Sequence, residues 1–139
     1  MSKIELFQGD CLEIMKNIPD KSIDMILCDL PYGTTQCKWD TVIPFESLWK
    51  QYNRIIKTDG AIVLFGSEPF SSSLRMSNIK KYKYDWYWIK EKGKGHLNAK
   101  KMPLKSIETI SVFYKMQTYY NPQKTKGEPY KRLNCSNNS

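Results

Sequence analysis

Two apolar runs of strand length, each followed by a glycine or an acidic residue, place the strongest constraint on how this chain folds. Residues 61–65 are Ala-Ile-Val-Leu-Phe and end at Gly66, and the mostly apolar residues 23–28 end at Asp29. Continuous apolar runs of this length are typical of strands that are buried on both faces, as in a parallel sheet. We therefore predict two buried strands whose carboxyl ends carry Asp29 and Gly66.

Helical patterns separate these strands. Asp10, followed three residues later by Glu13, predicts a capped helix start. Apolar residues at helical spacing between Phe45 and Ile56 predict an amphipathic helix that residues 58–60 close. The other predicted elements are a strand at 4–7, a helix at 69–78, and strands at 84–89 and 107–114. Because strands alternate with helices, we predict an α/β domain with a largely parallel sheet, in which ligands bind beyond the carboxyl ends of the strands.

Composition narrows the class of protein. The chain has 139 residues, 40% of them hydrophobic, without an apolar run long enough to cross a bilayer. We expect a cytoplasmic protein in which residues 1–116 form the main body. The polar residues 117–139 are either the start of a recognition region or a disordered tail. The cysteines (Cys11, Cys28, Cys37 and Cys135) lack C-x-x-C spacing, and His96 is the single histidine, so we expect free thiols and no metal.

Positive charge is concentrated in one part of the sequence. Lys and Arg exceed Asp and Glu by 22 to 14, which gives a net charge of +8, and nine lysines fall between residues 80 and 105. Such an excess favours encounter with nucleic acid. A loop at 90–105, containing Lys92, Lys94, Lys100 and Lys101, either contacts phosphates or is a solvated mobile loop.

The tetrapeptide Asp29-Leu30-Pro31-Tyr32 follows the first apolar run. These residue types suit chemistry on the exocyclic amine of a nucleic-acid base. Such an amine is a poor nucleophile because its lone pair is delocalised into the ring. Two acceptors, the Asp29 carboxylate and the Pro31 carbonyl, would grip its hydrogens and free that pair. The base would have to be rotated out of a duplex, and Tyr32 offers an aromatic surface for it. The alternative is a strand-end turn with a buried tyrosine.

Several further matches lie in order along the chain, and together with the tetrapeptide they resemble the amino-methyltransferases of DNA. The resemblance is to the permuted class of restriction-modification and phage enzymes, in which the catalytic motif precedes the cofactor loop. It implies a Rossmann-like methyltransferase sheet, S-adenosyl-L-methionine as cofactor and double-stranded DNA as partner. The matching residues are 9–12, 22–33, Trp39-Asp40, Asp59-Gly60, 101–103, Glu108 and Val112-Phe113.

The resemblance also implies roles for individual residues. Asp29, Pro31 and Tyr32 match the catalytic motif, in which Leu30 replaces the more usual proline. An initial aspartate favours the 6-amino group of adenine over the 4-amino group of cytosine. The implied cofactor contacts are Asp10, Cys11 and Leu30, and the implied DNA contacts are Trp39, Lys92, Lys94, Lys100 and Lys101. For Asp10 the alternative role is a helix cap, and for Trp39 it is packing.

A glycine-rich cofactor loop of the form F-x-G-x-G is not found in these 139 residues. The sequence therefore predicts an incomplete methyltransferase sheet that a missing carboxyl-terminal segment or a second subunit completes. The competing hypotheses are a catalytically silent DNA-binding or assembly module, and an enzyme that methylates RNA or a glutamine side chain.

Overall fold

In the computed structural model, residues 3–35 and 37–128 can be described, and they form a sheet with helices against it. Residues 129–139 of the stretch predicted as the start of a recognition region or a disordered tail, including Cys135, lie outside the described ranges. The helices are α1 (Cys11–Met15), α2 (Phe45–Ile55) and α3 (Phe70–Ser77), with a 3-10 turn at His96–Asn98. The strands are β1 (Ile23–Asp29), β2 (Ile56–Gly66), β3 (Tyr82–Lys94) and β4 (Lys105–Phe113). The predicted α/β class is confirmed.

The four described strands lie in the order β1-β2-β4-β3. Strands β1 and β2 are parallel, whereas β2 with β4 and β3 with β4 are antiparallel. The prediction of a largely parallel sheet was therefore wrong for this part of the chain. A parallel pair needs a crossover, which α2 supplies between β1 and β2. Only residues 95–104 join β3 to β4, and this short connection returns the chain in the opposite direction.

One face of the sheet forms the hydrophobic core. Helix α2 buries Leu48, Trp49, Tyr52 and Ile55 against it, as its sequence spacing predicts. The sheet contributes fully or almost fully buried side chains from β2 and β4, among them Leu64 and Phe113. The Trp49 indole N–H donates a hydrogen bond of 2.7 Å to Ser77 Oγ, which links α2 to α3.

The other face of the sheet has no helix over it within the described residues. Met25 and Leu27 of β1 are 55% and 59% exposed, and Trp86 of β3 is 53% exposed. Burial along β2 alternates, with Ile62 and Leu64 buried and their neighbours half-buried. The expectation of strands buried on both faces was therefore wrong here, because apolar composition does not specify which element covers each face.

Two predicted local structures also differ. Residues 4–7 are not a strand, and Ile4, Leu6 and Phe7 are exposed, because no described strand pairs with them. Residues 58–60 do not close α2 but lie within β2. A Cβ on Gly60 would lie 2.7 Å from the Asp24 carbonyl oxygen, so glycine allows β2 to approach β1 closely at this point.

Within residues 3–35 and 37–128, no helix has the length and apolar character needed to span a membrane. The same residues bring no three His, Cys, Asp or Glu side chains together as a set of metal ligands.

Candidate active site

The Asp29–Tyr32 motif lies at the carboxyl edge of the parallel strand pair. Asp29 is the last residue of β1 and is aligned with Phe65 of β2. Parallel strands expose their carboxyl ends at the same edge, where α/β sheets bind ligands. The Asp29 carboxylate is exposed there, whereas Leu30 is 6% exposed and packs in the core. The buried leucine thus anchors the motif while its neighbours face the edge.

Asp29 and Tyr32 are bonded to each other. The Tyr32 hydroxyl donates a hydrogen bond of 2.5 Å to Asp29 Oδ1. The Tyr32 ring stacks on Phe70 of α3, with 5.0 Å between the ring centroids. Burial, together with the hydrogen bond to Asp29 and its negative charge, raises the pKa of Tyr32, so the hydroxyl remains a protonated donor at neutral pH. One carboxylate oxygen is therefore oriented, and one ring face is already covered.

The loop after the motif is organised by Asp40, a buried carboxylate. Its oxygens accept hydrogen bonds from the backbone N–H groups of Gly33 (2.9 Å), Thr34 (2.9 Å) and Thr35 (2.7 Å). Gly33 has φ of +68°, a conformation that glycine adopts without strain. The hydrogen bonds, led by that from Gly33, lower the pKa of Asp40 to about 2. The loop is thus held in one shape by a single charged side chain.

A cleft of about 350 Å³ opens beside the motif. It brings together Asp10, Cys11, Pro31 and Trp39, which are distant in sequence and which were all predicted as site residues. Asp10 Oδ1 accepts a hydrogen bond of 2.7 Å from the Leu12 N–H, so its predicted role as a helix cap is confirmed. The remaining lining residues are Leu12, Thr41, Val42, Ile43 and Pro44.

Two predicted site residues occupy different surroundings. Trp39 is 75% exposed at the cleft wall, so it is not a packing residue. Leu30 does not line the cleft, because its side chain belongs to the hydrophobic core. A cofactor contact from Leu30 would have to come from its backbone.

Strands β3 and β4 bring charged and aromatic groups to the same edge. Lys90 and Glu108 form an ion pair, and the Lys90 ammonium also lies 5.0 Å from the centroid of the Trp88 ring. The hydrogen bond to Glu108, with the negative charges of Glu108 and Asp29, raises the pKa of Lys90, and Glu108 contributes to the raised pKa of Tyr32. The ion pair therefore lies within electrostatic reach of the motif.

The predicted DNA-contacting lysines are all exposed. Lys92 and Lys94 lie on the last residues of β3, and Lys100 and Lys101 follow the 3-10 turn at His96–Asn98. Part of the predicted loop at 90–105 is thus strand. Lys94 Nζ is 3.9 Å from Glu108, and the other three form no ion pair with any described residue. Free cationic groups at this edge are available to phosphates.

Sequence reasoning missed three contributors to the site. Phe70 was part of a predicted helix, and nothing in the sequence places it against Tyr32. Asp40 was named only as a match beside Trp39, and its role in holding the loop was not predicted. That role depends on three backbone N–H groups that point to one carboxylate, which is a property of the loop conformation. Lys90 was counted in the lysine run without its partner Glu108.

Similarity to known proteins agrees with this geometry. No family model matches the chain. The type II methyltransferase M.HinfI of Haemophilus influenzae is 32% identical over 85 residues, which cover 45% of this chain and 24% of that protein. This part of the chain is therefore similar in sequence to part of a DNA methyltransferase.

Solved structures show the fold. The M1.HpyAVI–SAM complex matches with a TM-score of 0.61 and 20% identity, over 91% of this chain and 63% of that one. The PvuII DNA methyltransferase, which is cytosine-N4-specific, matches with a TM-score of 0.58 and 19% identity, over 79% and 48%. The predicted Rossmann-like methyltransferase fold is confirmed. This chain spans about a quarter of the length of M.HinfI and half to two thirds of these structures.

Proposed function

We propose that this chain is the catalytic portion of an S-adenosyl-L-methionine-dependent methyltransferase that acts on the 6-amino group of adenine in double-stranded DNA. The observation that carries the proposal is the cleft at the strand ends, which joins Asp10 and Cys11 to Pro31 of the motif and to Trp39. Homology to DNA methyltransferases supports the reaction class. Exposed lysines on the same edge support DNA as the substrate.

Asp29 is the proposed principal acceptor for the target amine. Its Oδ1 is held by the Tyr32 hydroxyl, while its Oδ2 forms no hydrogen bond with any described residue. The free oxygen accepts one amine hydrogen, and the Pro31 carbonyl is the proposed second acceptor. Holding both hydrogens localises the nitrogen lone pair for attack.

Tyr32 is the proposed stacking surface for the flipped base. Phe70 covers one face of its ring and fixes its orientation, so the base would stack against the opposite face. The hydroxyl also orients Asp29, which links the position of the stacking surface to that of the acceptor. Trp39, exposed at the cleft wall, is the second aromatic group we assign to the base.

The cleft has the chemistry required for the adenosine part of the cofactor. Val42, Ile43 and Pro44 offer apolar surface to an adenine ring, and the Asp10 carboxylate offers an acceptor for its amino group. Asp10 uses Oδ1 for the helix cap, which leaves Oδ2 for the ligand. When bound, S-adenosyl-L-methionine supplies an electrophilic methyl group on its sulfonium.

Asp29→Asn tests the mechanism directly. This variant keeps the size of the side chain but replaces the charged acceptor. In the form completed by the missing carboxyl-terminal segment or second subunit, we therefore expect methyl transfer to duplex DNA to fall by at least 100-fold. The matched control is Asp24→Asn on the same strand, since Asp24 is exposed and, among the described residues, pairs only with Lys57 at the other end of β1. Transfer of tritiated methyl groups from S-adenosyl-L-methionine measures both. Equal rates for Asp29→Asn and the wild type would refute the mechanism.

Tyr32 variants separate stacking from orientation. Tyr32→Ala removes the aromatic face, and a loss of about 1–3 kcal/mol predicts a 5- to 150-fold decrease in transfer. Tyr32→Phe keeps the face but removes the hydrogen bond to Asp29, so it should retain more activity than Tyr32→Ala. Equal losses in the two variants would assign Tyr32 to orienting Asp29 alone.

Nucleoside analysis by mass spectrometry identifies the methylated base. We expect N6-methyladenine, because the motif begins with aspartate. The alternative is N4-methylcytosine, which the structural likeness to the PvuII enzyme favours. N4-methylcytosine as the sole product would overturn the assignment to adenine and leave the amine chemistry intact.

The chain by itself is proposed to bind the cofactor weakly, because the glycine-rich F-x-G-x-G loop is not among its 139 residues. The uncovered apolar sheet face supports completion by a further segment or a second subunit. Calorimetric titration should therefore show no binding of S-adenosyl-L-methionine below about 100 µM. Micromolar affinity of the chain alone would contradict this. DNA binding without transfer in any completed form would instead support a silent DNA-binding module.

A further inference from the structure

Four lysines converge on one recess at the sheet edge opposite the motif. Lys21 precedes β1, Lys57 lies near the start of β2, Lys81 precedes β3 and Lys115 follows β4. Together they line a recess of about 90 Å³. Since β1 has seven residues at about 3.3 Å each, this edge lies about 20 Å from Asp29. The recess is therefore separate from the candidate active site.

Asn53, near the end of α2, holds two of these lysines together. The Lys21 ammonium donates a hydrogen bond of 2.8 Å to the Asn53 backbone carbonyl. The Lys81 ammonium donates to Asn53 Oδ1. Two positive charges that share one asparagine repel each other unless an anion lies near them.

The positive charge in the recess is only partly compensated. Lys57 pairs with Asp24 at 2.6 Å, but Lys21, Lys81 and Lys115 form no ion pair within the described residues. The carboxyl end of α2 contributes about half a negative charge, against three uncompensated positive charges. Burial and the charges of Lys21 and Lys115 lower the pKa of Lys81. The free chain thus maintains an unfavourable concentration of like charges.

The backbone at Lys21, beside the recess, is also strained. Lys21 has a backbone φ of +52°, a value that residues other than glycine, asparagine and aspartate rarely adopt. The N–H groups of Lys21 and Ser22 donate hydrogen bonds of 3.0 Å to the carbonyls of Arg54 and Ile55, which fix the strained turn against the end of α2. Strain of this kind is concentrated at functional sites.

We propose that this recess, the lysine recess, binds a phosphate group. Its volume of about 90 Å³ gives room for one tetrahedral oxyanion. The ammonium groups of Lys21, Lys81 and Lys115 donate to its oxygens and are neutralised by its charge. The phosphate belongs either to a free anion or to a nucleic-acid backbone.

Thermal unfolding in inorganic phosphate, compared with chloride at equal ionic strength, tests the site. A ligand that binds only the folded chain raises the midpoint by about 4 °C at ten times its dissociation constant. Lys81→Met and Lys115→Met should lose this rise. The matched control is Lys50→Met, because Lys50 is exposed on α2 and forms no ion pair with any described residue. General salting effects of phosphate act on all variants equally, so the control removes them.

Stability in chloride separates a loss of phosphate binding from a loss of folding. Lys81→Met should be at least as stable as the wild type in chloride, because it removes a repelling charge, so a lost response reports binding and not unfolding. A full phosphate response in both Lys81→Met and Lys115→Met, or none in the wild type, would overturn the proposal.

A duplex DNA titration at low salt identifies the source of the phosphate. If the recess binds the DNA backbone, Lys81→Met should lower DNA affinity at least five-fold relative to Lys50→Met. Equal DNA affinities, together with an intact phosphate response in the wild type, assign the recess to a free anion. The methyltransferase proposal is independent of this result, because its acceptors lie at the opposite edge.

Discussion

The two faces of the sheet have similar apolar residues but very different surroundings. On the helix-covered face, Leu64 and Phe113 are fully buried beneath α2 and α3. On the open face, Leu27, Trp86 and Trp88 are more than half exposed. Contiguous exposed apolar area of this kind is uncommon on monomeric proteins. The stability of the described part therefore depends on the helix-covered face, while no described element packs over the open face.

Phe113→Ala tests how much the helix-covered face contributes to stability. Phe113 is fully buried, with its ring centroid 4.9 Å from that of Trp49, so its removal should lower the free energy of unfolding by about 3–5 kcal/mol. Trp86→Ala on the open face should cost less than about 1.5 kcal/mol, because half of that side chain is already in water. Urea denaturation measures both. Equal losses would mean that the open face is also covered.

Gly66→Ala examines how closely α3 lies against the covered face. A Cβ at this position would lie 2.7 Å from Ser71 Oγ, and Ser71 is fully buried, so either the Ser71 hydroxyl or α3 itself must shift. We expect a loss of about 1–3 kcal/mol in urea denaturation. Gly127→Ala is the control, since no described residue lies within 4 Å of its added Cβ, and it should change stability by less than about 0.5 kcal/mol. A silent Gly66→Ala would show that the packing of α3 is loose.

Leu27→Lys addresses the open face alone. Since Leu27 is 59% exposed, the substitution should change the free energy of unfolding by less than about 1 kcal/mol. Any self-association through this apolar surface should also decrease in sedimentation velocity, because the substitution places a charge within the surface. The counterpart on the covered face, Leu64→Lys, should prevent folding. Unfolding of the Leu27→Lys chain would refute the assignment of this face as uncovered.

Acid should loosen the Asp40 loop, which belongs to neither face. Because the pKa of Asp40 is about 2 when folded and 3.8 ordinarily, its carboxylate stabilises the folded chain fully above about pH 4. That contribution is lost as the pH falls towards 2. Thermal unfolding between pH 2 and 7 should therefore show a steeper decline for the wild type than for Asp40→Asn. Identical slopes would mean that the three amide hydrogen bonds do not depend on the charge of Asp40.

Local patterns predicted much of the fold. Apolar spacing placed α2 and α3 to within a residue or two, and the acceptor before α1 was correctly identified as its cap. The strands ending at Asp29 and Gly66 end where predicted, because each apolar run stops there. The pairing directions and the covered face were not predictable in this way, since they depend on contacts between residues far apart in sequence.

The candidate site was predicted in part for the same reason. The motif could be recognised from four adjacent residues, and its resemblance to a family pointed to Asp10, Cys11 and Trp39. That these three share a cleft with Pro31 is a result of folding. The ring of Phe70 against Tyr32 and the pair of Lys90 with Glu108 carry no local sequence pattern at all.

The chemistry that the Asp29–Tyr32 motif offers follows from its amino acids alone, because an acceptor, a rigid turn and an aromatic ring are properties of adjacent residues. The tertiary structure decided how those groups are held. It bonded Tyr32 to Asp29, turned Leu30 into the core and left one sheet face open. Burial and partner choice are set by which distant segments meet, and this information is distributed over the whole chain.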